Sequence, residues 1–89
     1  MRVRRVEVVD AYVEDGRAAV YSERGMVVLL SELATSAWSV IGDEWVSAED
    51  VSAALVREFG APDGGDATRL TEDALHSLAD LALVEIEAE

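Results

Sequence analysis

The spacing of apolar residues changes from a strand-like to a helical period near residue 31. Before that point, β-branched and aromatic residues form short runs separated by glycine-containing turns, a pattern typical of an antiparallel meander. We predict three strands: within about Val3 to Val13, with a bulge at Val9, over Arg17 to Ser22, and over Met26 to Leu30. The first two strands are joined by Glu14-Asp15-Gly16, in which Asp-Gly suits a tight hairpin turn.

After residue 31 the apolar positions recur at helical spacing, which predicts three helices. The first covers about Glu32 to Ile41, capped by Ser31, with Leu33, Ala37, Val40 and Ile41 on its buried stripe. The second begins after Ser47, carries Val51, Leu55 and Phe59 on one face, and is stopped by Gly60. The third is capped by Thr71 and buries Leu75, Leu78, Ala79 and Leu81 or Ala82. The following Leu83 to Ile86 alternates like a strand.

This order predicts an α+β fold, with a three-stranded antiparallel sheet followed by a three-helix, winged-helix-like bundle. The sheet would occupy about residues 3–30 and the helices about 32–82. The chain of 89 residues is long enough for one domain with a modest core, so we expect residues 1–89 to form a single domain.

The charge of the chain is strongly negative and unevenly distributed. The formal net charge is −12, and residues 1–24 sum to zero, so the whole excess lies in the predicted helical part. No apolar run approaches the roughly 18 residues that cross a membrane, and acidic residues interrupt the apolar part of the N-terminal segment. We therefore expect a soluble cytoplasmic protein without a membrane partner.

Residues that could carry chemistry are sparse. The chain has no cysteine, which excludes disulfides and thiol catalysis, and its single histidine, His76, lacks partners for a metal site. The acidic pairs lie at helix starts and in loops, where carboxylates stabilise exposed N–H groups without any catalytic role. Trp38 and Trp45 could mark a binding hot spot, but packing is the favoured interpretation for Trp38. We predict no enzyme, no catalytic residue, no metal and no cofactor.

The helix–turn–helix character of residues 47–82 suggests a different function, that of a winged-helix regulator acting on DNA or through a protein partner. Its recognition helix would be the third helix, which carries acidic residues in its first turn and only Arg69 just ahead of it. Phosphate binding requires Lys and Arg, so we expect no nucleic-acid partner.

The third predicted strand, Met26 to Leu30, is apolar on both faces. In a simple meander its outer edge is unpaired unless a chain terminus covers it, and soluble proteins normally protect such edges. Either helices and a terminus bury the strand, or its edge accepts an extended peptide as a further strand. The residues alone leave these two interpretations nearly even.

Several segments, in order and with similar spacing, resemble the PqqD-like family of peptide-recognition elements. They are DGRAAVYSERGMVVLLSELATSAW, then AEDVSAALVREFGAP, then LADLALVEI, with matches at Leu30-Ser31, Ala37-Trp38, Val51, Leu55, Phe59-Gly60, Leu78 and Leu83-Val84-Glu85. The chain departs from the family pattern at Ser31, where Asn is usual, in the longer acidic loop around DGGD, and at Ala82, where Gly is frequent.

The resemblance implies a RiPP recognition element, a module that binds the leader of a ribosomally synthesised precursor peptide. The leader would dock antiparallel to the third strand, between it and the third helix, and would be presented to a separate modifying enzyme or leader protease. The implied peptide-binding residues are Met26, Val27, Val28, Leu29 and Leu30 on the strand, and Glu72, Leu75, His76 and Ala79 on the helix. Which face of the helix lines the groove stays open, as does the choice between monomer and homodimer, and the chain's size and lack of lysine favour a lasso-peptide pathway.

Overall fold

The computed structural model describes residues 1–87, which form two small antiparallel sheets and three helices. The elements in chain order are β1 (Arg2–Arg5), β2 (Asp10–Glu14), β3 (Arg17–Tyr21), β4 (Val27–Leu29), α1 (Glu32–Val40), β5 (Val46–Ser47), α2 (Ala48–Phe59), α3 (Ala67–Asp80) and β6 (Val84–Ile86). The predicted α+β class is confirmed, and β2, β3 and β4 form the predicted meander.

The prediction of one continuous first strand within Val3 to Val13 is wrong. The chain changes sheets between β1 and β2: the N–H of Val6 donates to the carbonyl of Leu83, whereas the N–H of Val9 donates to that of Tyr21. β1 lies at the centre of a sheet with order β5-β1-β6, and β2 belongs to the sheet with order β2-β3-β4. Both partner strands of β1 lie much later in the chain. The local alternation of apolar and polar residues therefore could not indicate this pairing.

Ion pairs and hydrogen bonds hold β1 against the C-terminal strand β6. Arg4 lies directly opposite Glu85 in the register, and their side chains form an ion pair. Arg2 pairs with Glu87, with its Nε 2.6 Å from Oε2, and this hydrogen bond lowers the pKa of the Glu87 carboxyl. The basic N-terminal segment is therefore anchored to the acidic C-terminal part of the fold.

The helix starts follow ordinary capping rules, with one correction. Ser31 Oγ accepts from the N–H of Ala34 at 3.1 Å, and Ser47 Oγ accepts from that of Asp50 at 3.0 Å, as predicted. The third helix begins after Asp66, not at Thr71, because the Asp66 carboxylate accepts from the first free N–H groups. Thr71 is buried inside this longer helix.

The core lies where the inner face of the meander, the three helices and β1 meet. Its largest fully buried side chains are those of Val3, Val20, Ile41, Val51, Leu75, Leu78 and Leu83. The stripe predicted for α1 is correct at Ala37 and Ile41 but wrong at Leu33 and Val40, which are exposed. Thr35 takes a buried place instead, and its Oγ1 accepts from the N–H of Ala18 at 2.8 Å, which ties α1 to β3.

Both tryptophans contact arginines of β1. Trp38 is buried, as the packing interpretation predicted, and its Nε1–H donates to the carbonyl of Leu83 at 3.3 Å. The Arg5 guanidinium lies 3.7 Å from the centre of the Trp38 ring, and burial lowers its pKa while Asp43 opposes that shift. Trp45 is half-buried, and the Arg4 guanidinium lies 4.6 Å from the centre of its ring.

Within residues 1–87, no helix is long and apolar enough to cross a membrane.

Candidate functional site

Among residues 1–87, strand β4 lies at the edge of its sheet and no strand pairs with its outer side. The strand order β2-β3-β4 gives it β3 as its neighbour, and the chain ends pair in the other sheet. The side chains of Val27 and Leu29 are 61% and 72% exposed, whereas Val28 and Leu30 turn inward. The predicted strand is thus apolar on both faces, and the helices cover only one of them.

The hydrogen bonds to β3 show which backbone groups of β4 are free. Leu30 N–H donates to the carbonyl of Ala18, and Ser22 N–H donates to that of Met26, both at 2.9 Å. Bonded and non-bonded pairs alternate along an antiparallel ladder, so the N–H and C=O groups of Val27 and Leu29 point away from β3. These four groups form an unpaired strip onto which an extended chain could add as a fourth strand.

A shallow apolar groove of about 290 Å³ lies beside this edge, between the end of β4, the start of α1 and the second half of α3. Its lining residues are Leu29, Leu30, Ser31, Leu33, Ala34, Ala74, Ser77, Leu78 and Leu81. None of these side chains is charged, so the groove suits aliphatic or aromatic side chains. An added strand would place alternate side chains in this groove and on the outer face beside Val27 and Leu29.

Of the predicted site residues, the structure places Leu29 and Leu30 of the strand at this groove but none of the helix residues. Leu75 is fully buried in the core, Ala79 is half-buried against the core, and His76 points to solvent. Neither these residues nor the half-buried Glu72 lines the groove. The helix residues at the groove are those the sequence analysis did not select: Ala74, Ser77, Leu78 and Leu81.

A sequence signal for that face was present, because Leu70, Ala74, Leu78 and Leu81 form a second stripe at helical spacing beside the core stripe. On the strand side, Met26 and Val27 are exposed and Val28 is partly buried.

The rim of the groove on α3 is acidic. Asp73 and Asp80 lie one helical turn either side of Ser77 and are exposed, and neither forms an ion pair within the described part of the chain. Arg69 and His76 are also exposed on this side of the helix. A helix with this charge pattern repels phosphates, which argues against its insertion into a DNA groove.

The described residues provide no group of ligands for a metal ion. Across positions 1–87, no three His, Asp or Glu side chains are placed to hold a metal ion. His76 lies on the exposed side of α3 and belongs to no group of this kind in the described part of the chain.

Comparison with known proteins yields a fold neighbour. No protein-family model and no curated protein matches the chain. The fold is similar to that of TbiB1 in its solved complex with the TbiA(beta) leader peptide, with a TM-score of 0.76. The similarity covers 97% of this chain and 99% of the TbiB1 chain at 20% sequence identity, so the two chains share their fold over almost their whole length.

Proposed function

We propose that the chain is a non-catalytic peptide-binding module of the PqqD-like type, a RiPP recognition element. It binds the leader of a ribosomally synthesised precursor peptide as a further strand on β4 and presents the precursor to a separate modifying enzyme or leader protease. The observation that carries this proposal is the free backbone edge of β4 beside an uncharged apolar groove. The fold shared with TbiB1, which is solved in complex with a leader peptide, supports it.

The edge of β4 and the apolar groove contribute differently to peptide recognition. The N–H and C=O groups of Val27 and Leu29 supply hydrogen bonds that any extended peptide can use, so they contribute affinity without reading sequence. The groove supplies selectivity, since a charged side chain placed there would lose water without gaining a partner. The proposed site therefore keeps the predicted strand and moves the helix contacts to the face with Ala74, Ser77 and Leu81.

The proposed module would act through a partner. We expect the enzyme that modifies or cleaves the precursor to be a separate chain in the cytoplasm, where the precursor is made. A lasso-peptide pathway is the proposed setting, because the size of the chain and its lack of lysine favour that type. A monomer is expected when the leader occupies β4, since the leader then satisfies the edge that would otherwise allow self-pairing.

An NMR titration tests the docking model. The ¹⁵N-labelled chain would receive a synthetic leader of the short precursor encoded beside its gene, with a scrambled peptide of the same composition as control. We expect the amides of Val27 to Leu29 and of Ala74 to Leu81 to shift with the leader and not with the scrambled peptide. Shifts confined to other parts of the chain would contradict the model. Salt-dependent binding of duplex DNA in a gel-shift assay would instead support the winged-helix regulator.

A further inference from the structure

The sheet that carries the proposed site has a second edge, formed by β2. The strand order β2-β3-β4 places β2 and β4 on opposite sides of β3, and among residues 1–87 no strand pairs with the outer side of either. Backbone hydrogen bonding alone therefore offers an extended peptide two edges. The proposed function needs a feature that distinguishes them.

The register with β3 shows which backbone groups of β2 face outwards. Val13 lies opposite Ala18, whose N–H and C=O groups are both bonded elsewhere, so the backbone groups of Val13 point away from β3. Alternation along an antiparallel ladder assigns Ala11, two residues earlier, to the same outward set. The N–H and C=O groups of Ala11 and Val13 thus correspond on β2 to the free strip on β4.

The two edges differ at Ala11, because its outward N–H is already engaged. This group donates to Oδ1 of the preceding residue, Asp10, at 2.9 Å. A hydrogen bond to a carboxylate is roughly twice as strong as one to a neutral acceptor. A peptide carbonyl that approached Ala11 would have to displace the carboxylate and would face its negative charge. On β4 the residues Met26 to Leu30 are all apolar, so none offers its neighbour a side-chain acceptor.

The charges of the two strands reinforce this difference. β2 begins with Asp10 and ends with Glu14, both exposed, whereas β4 carries no charge. Charged side chains on an edge strand are a common means of preventing further pairing. The same sheet therefore has one edge with a protected donor and charged ends, and one edge without either.

We propose that Asp10 is a specificity-determining residue that closes the β2 edge to strand addition, so that the leader enters the sheet only at β4. This inference rests on the proposed function. Asp10 acts by holding the Ala11 N–H and makes no contact with the docked leader. The same bond opposes pairing of β4 of one copy with β2 of the next, a head-to-tail contact that would continue without closing.

Amide hydrogen exchange tests the bond itself. Ala11 and Val13 share the outer side of β2, and neither N–H bonds to β3. After correction for intrinsic rates, we expect the Ala11 amide to exchange about tenfold more slowly than the Val13 amide, as one charge-assisted hydrogen bond provides. Asp10→Ala should remove this difference. Equal rates in the unsubstituted chain would refute the proposed role of Asp10.

An NMR titration then measures edge selection. The probe is a peptide selected on the purified chain from a displayed library of random sequences and added in large excess to the ¹⁵N-labelled protein. In the unsubstituted chain we expect shifts at Val27 to Leu29 and none at Ala11 or Val13. Asp10→Ala should add shifts at Ala11 and Val13, with affinity at the second edge raised about tenfold or more, while the Kd at β4 changes little.

Matched variants separate the hydrogen bond from the charge. Asp10→Asn keeps an oxygen acceptor without the charge and should keep β2 closed. Glu14→Ala removes a carboxylate from the same strand without freeing the Ala11 N–H and should also keep β2 closed. Asp10→Val, whose side chain favours strands, repeats the deletion in case Asp10→Ala does not fold, and circular dichroism melting checks each variant.

The outcomes separate the two proposals. If no selected peptide shifts the β4 amides, the proposed function fails. If peptides bind at β4 but the folded Asp10 deletions leave the β2 amides unshifted, the role of Asp10 is refuted while the strand site stands. Opening of β2 by Asp10→Asn or Glu14→Ala to the same extent would show that charge alone closes this edge, which would overturn the role of the hydrogen bond.

Discussion

Leu29→Pro is the sharpest test of strand addition. The Leu29 N–H points away from β3, so proline at this position costs no hydrogen bond within the sheet, and edge strands tolerate proline where the N–H faces solvent. The substitution does remove a donor that an added strand needs. It also places the proline ring against the carbonyl of the incoming peptide.

The size of the effect follows from the lost hydrogen bond. Leaving the peptide's carbonyl unpaired costs about 1–3 kcal/mol, which corresponds to a roughly 5- to 150-fold higher Kd. Leu29→Pro also removes an apolar side chain, so the proper reference is Leu29→Ala, which keeps the N–H. We expect the leader to bind Leu29→Pro more weakly than Leu29→Ala by that factor.

The opposite edge of the same sheet provides the matched control. Val13 lies across from Ala18, whose N–H is bonded to Thr35 and whose carbonyl is bonded to Leu30, so the Val13 N–H has no partner on β3. Val13→Pro therefore introduces the same change on β2 and should leave leader binding unchanged. Isothermal titration calorimetry with the leader, after a melting curve for each variant, gives the Kd values. Equal affinities of folded Leu29→Pro and Leu29→Ala would refute strand addition at β4.

Three further predictions concern the groove, the backbone at Ala82 and the ion pair between Arg2 and Glu87. Ala74→Glu should weaken leader binding at least about tenfold in the same calorimetric assay, because docking would strip water from a carboxylate, whereas Ala53→Glu on the exposed side of α2 should not. Ala82 has a φ of 60°, so Ala82→Gly should raise the free energy of unfolding by up to about 1 kcal/mol, or Tm by about 4–8 °C; an unchanged or lower Tm in thermal melting would contradict this. The hydrogen bond from Arg2 lowers the pKa of Glu87 in the folded state. The stability that this ionised carboxylate contributes is therefore complete above its unfolded-state pKa and is lost as the pH falls through its folded-state pKa. Urea unfolding of Glu87→Gln should therefore show a shallower loss of stability towards acid pH than the unsubstituted chain, and parallel pH profiles would contradict this.

The meander, the caps of the first two helices and the edge strand could be predicted from the sequence because each depends on neighbouring residues. The hairpin turn at Asp15-Gly16 has positive φ at both positions, as Asp-Gly predicts, and the caps at Ser31 and Ser47 form as expected. The separation of β1 from β2 could not be predicted in this way. It depends on pairing between Arg2–Arg5 and Val84–Ile86, whose paired residues are 79 to 83 positions apart.

The groove face of α3 could not be predicted for a different physical reason. The helix is apolar on two adjacent faces, one packed in the core through Leu75 and one open at the groove through Ala74 and Leu81. Periodicity detects that both faces are apolar but not which of them another element covers. That information lies in the tertiary packing of α1 and β4 against the helix.

The distribution of cations suggests how the site acquires its selectivity. Arg2, Arg4, Arg5 and Arg17 are engaged within the fold, with carboxylates of the C-terminal strand and with backbone carbonyls of Trp38 and Leu30. Those contacts neutralise only part of the acidic excess, and Asp73 and Asp80 remain exposed beside the groove. Nucleic acids and acidic chains are repelled at the same surface where an apolar peptide with basic flanks would be attracted. Because these arginines are engaged in holding β1 in place, the acidic rim could discriminate among partners of the proposed site.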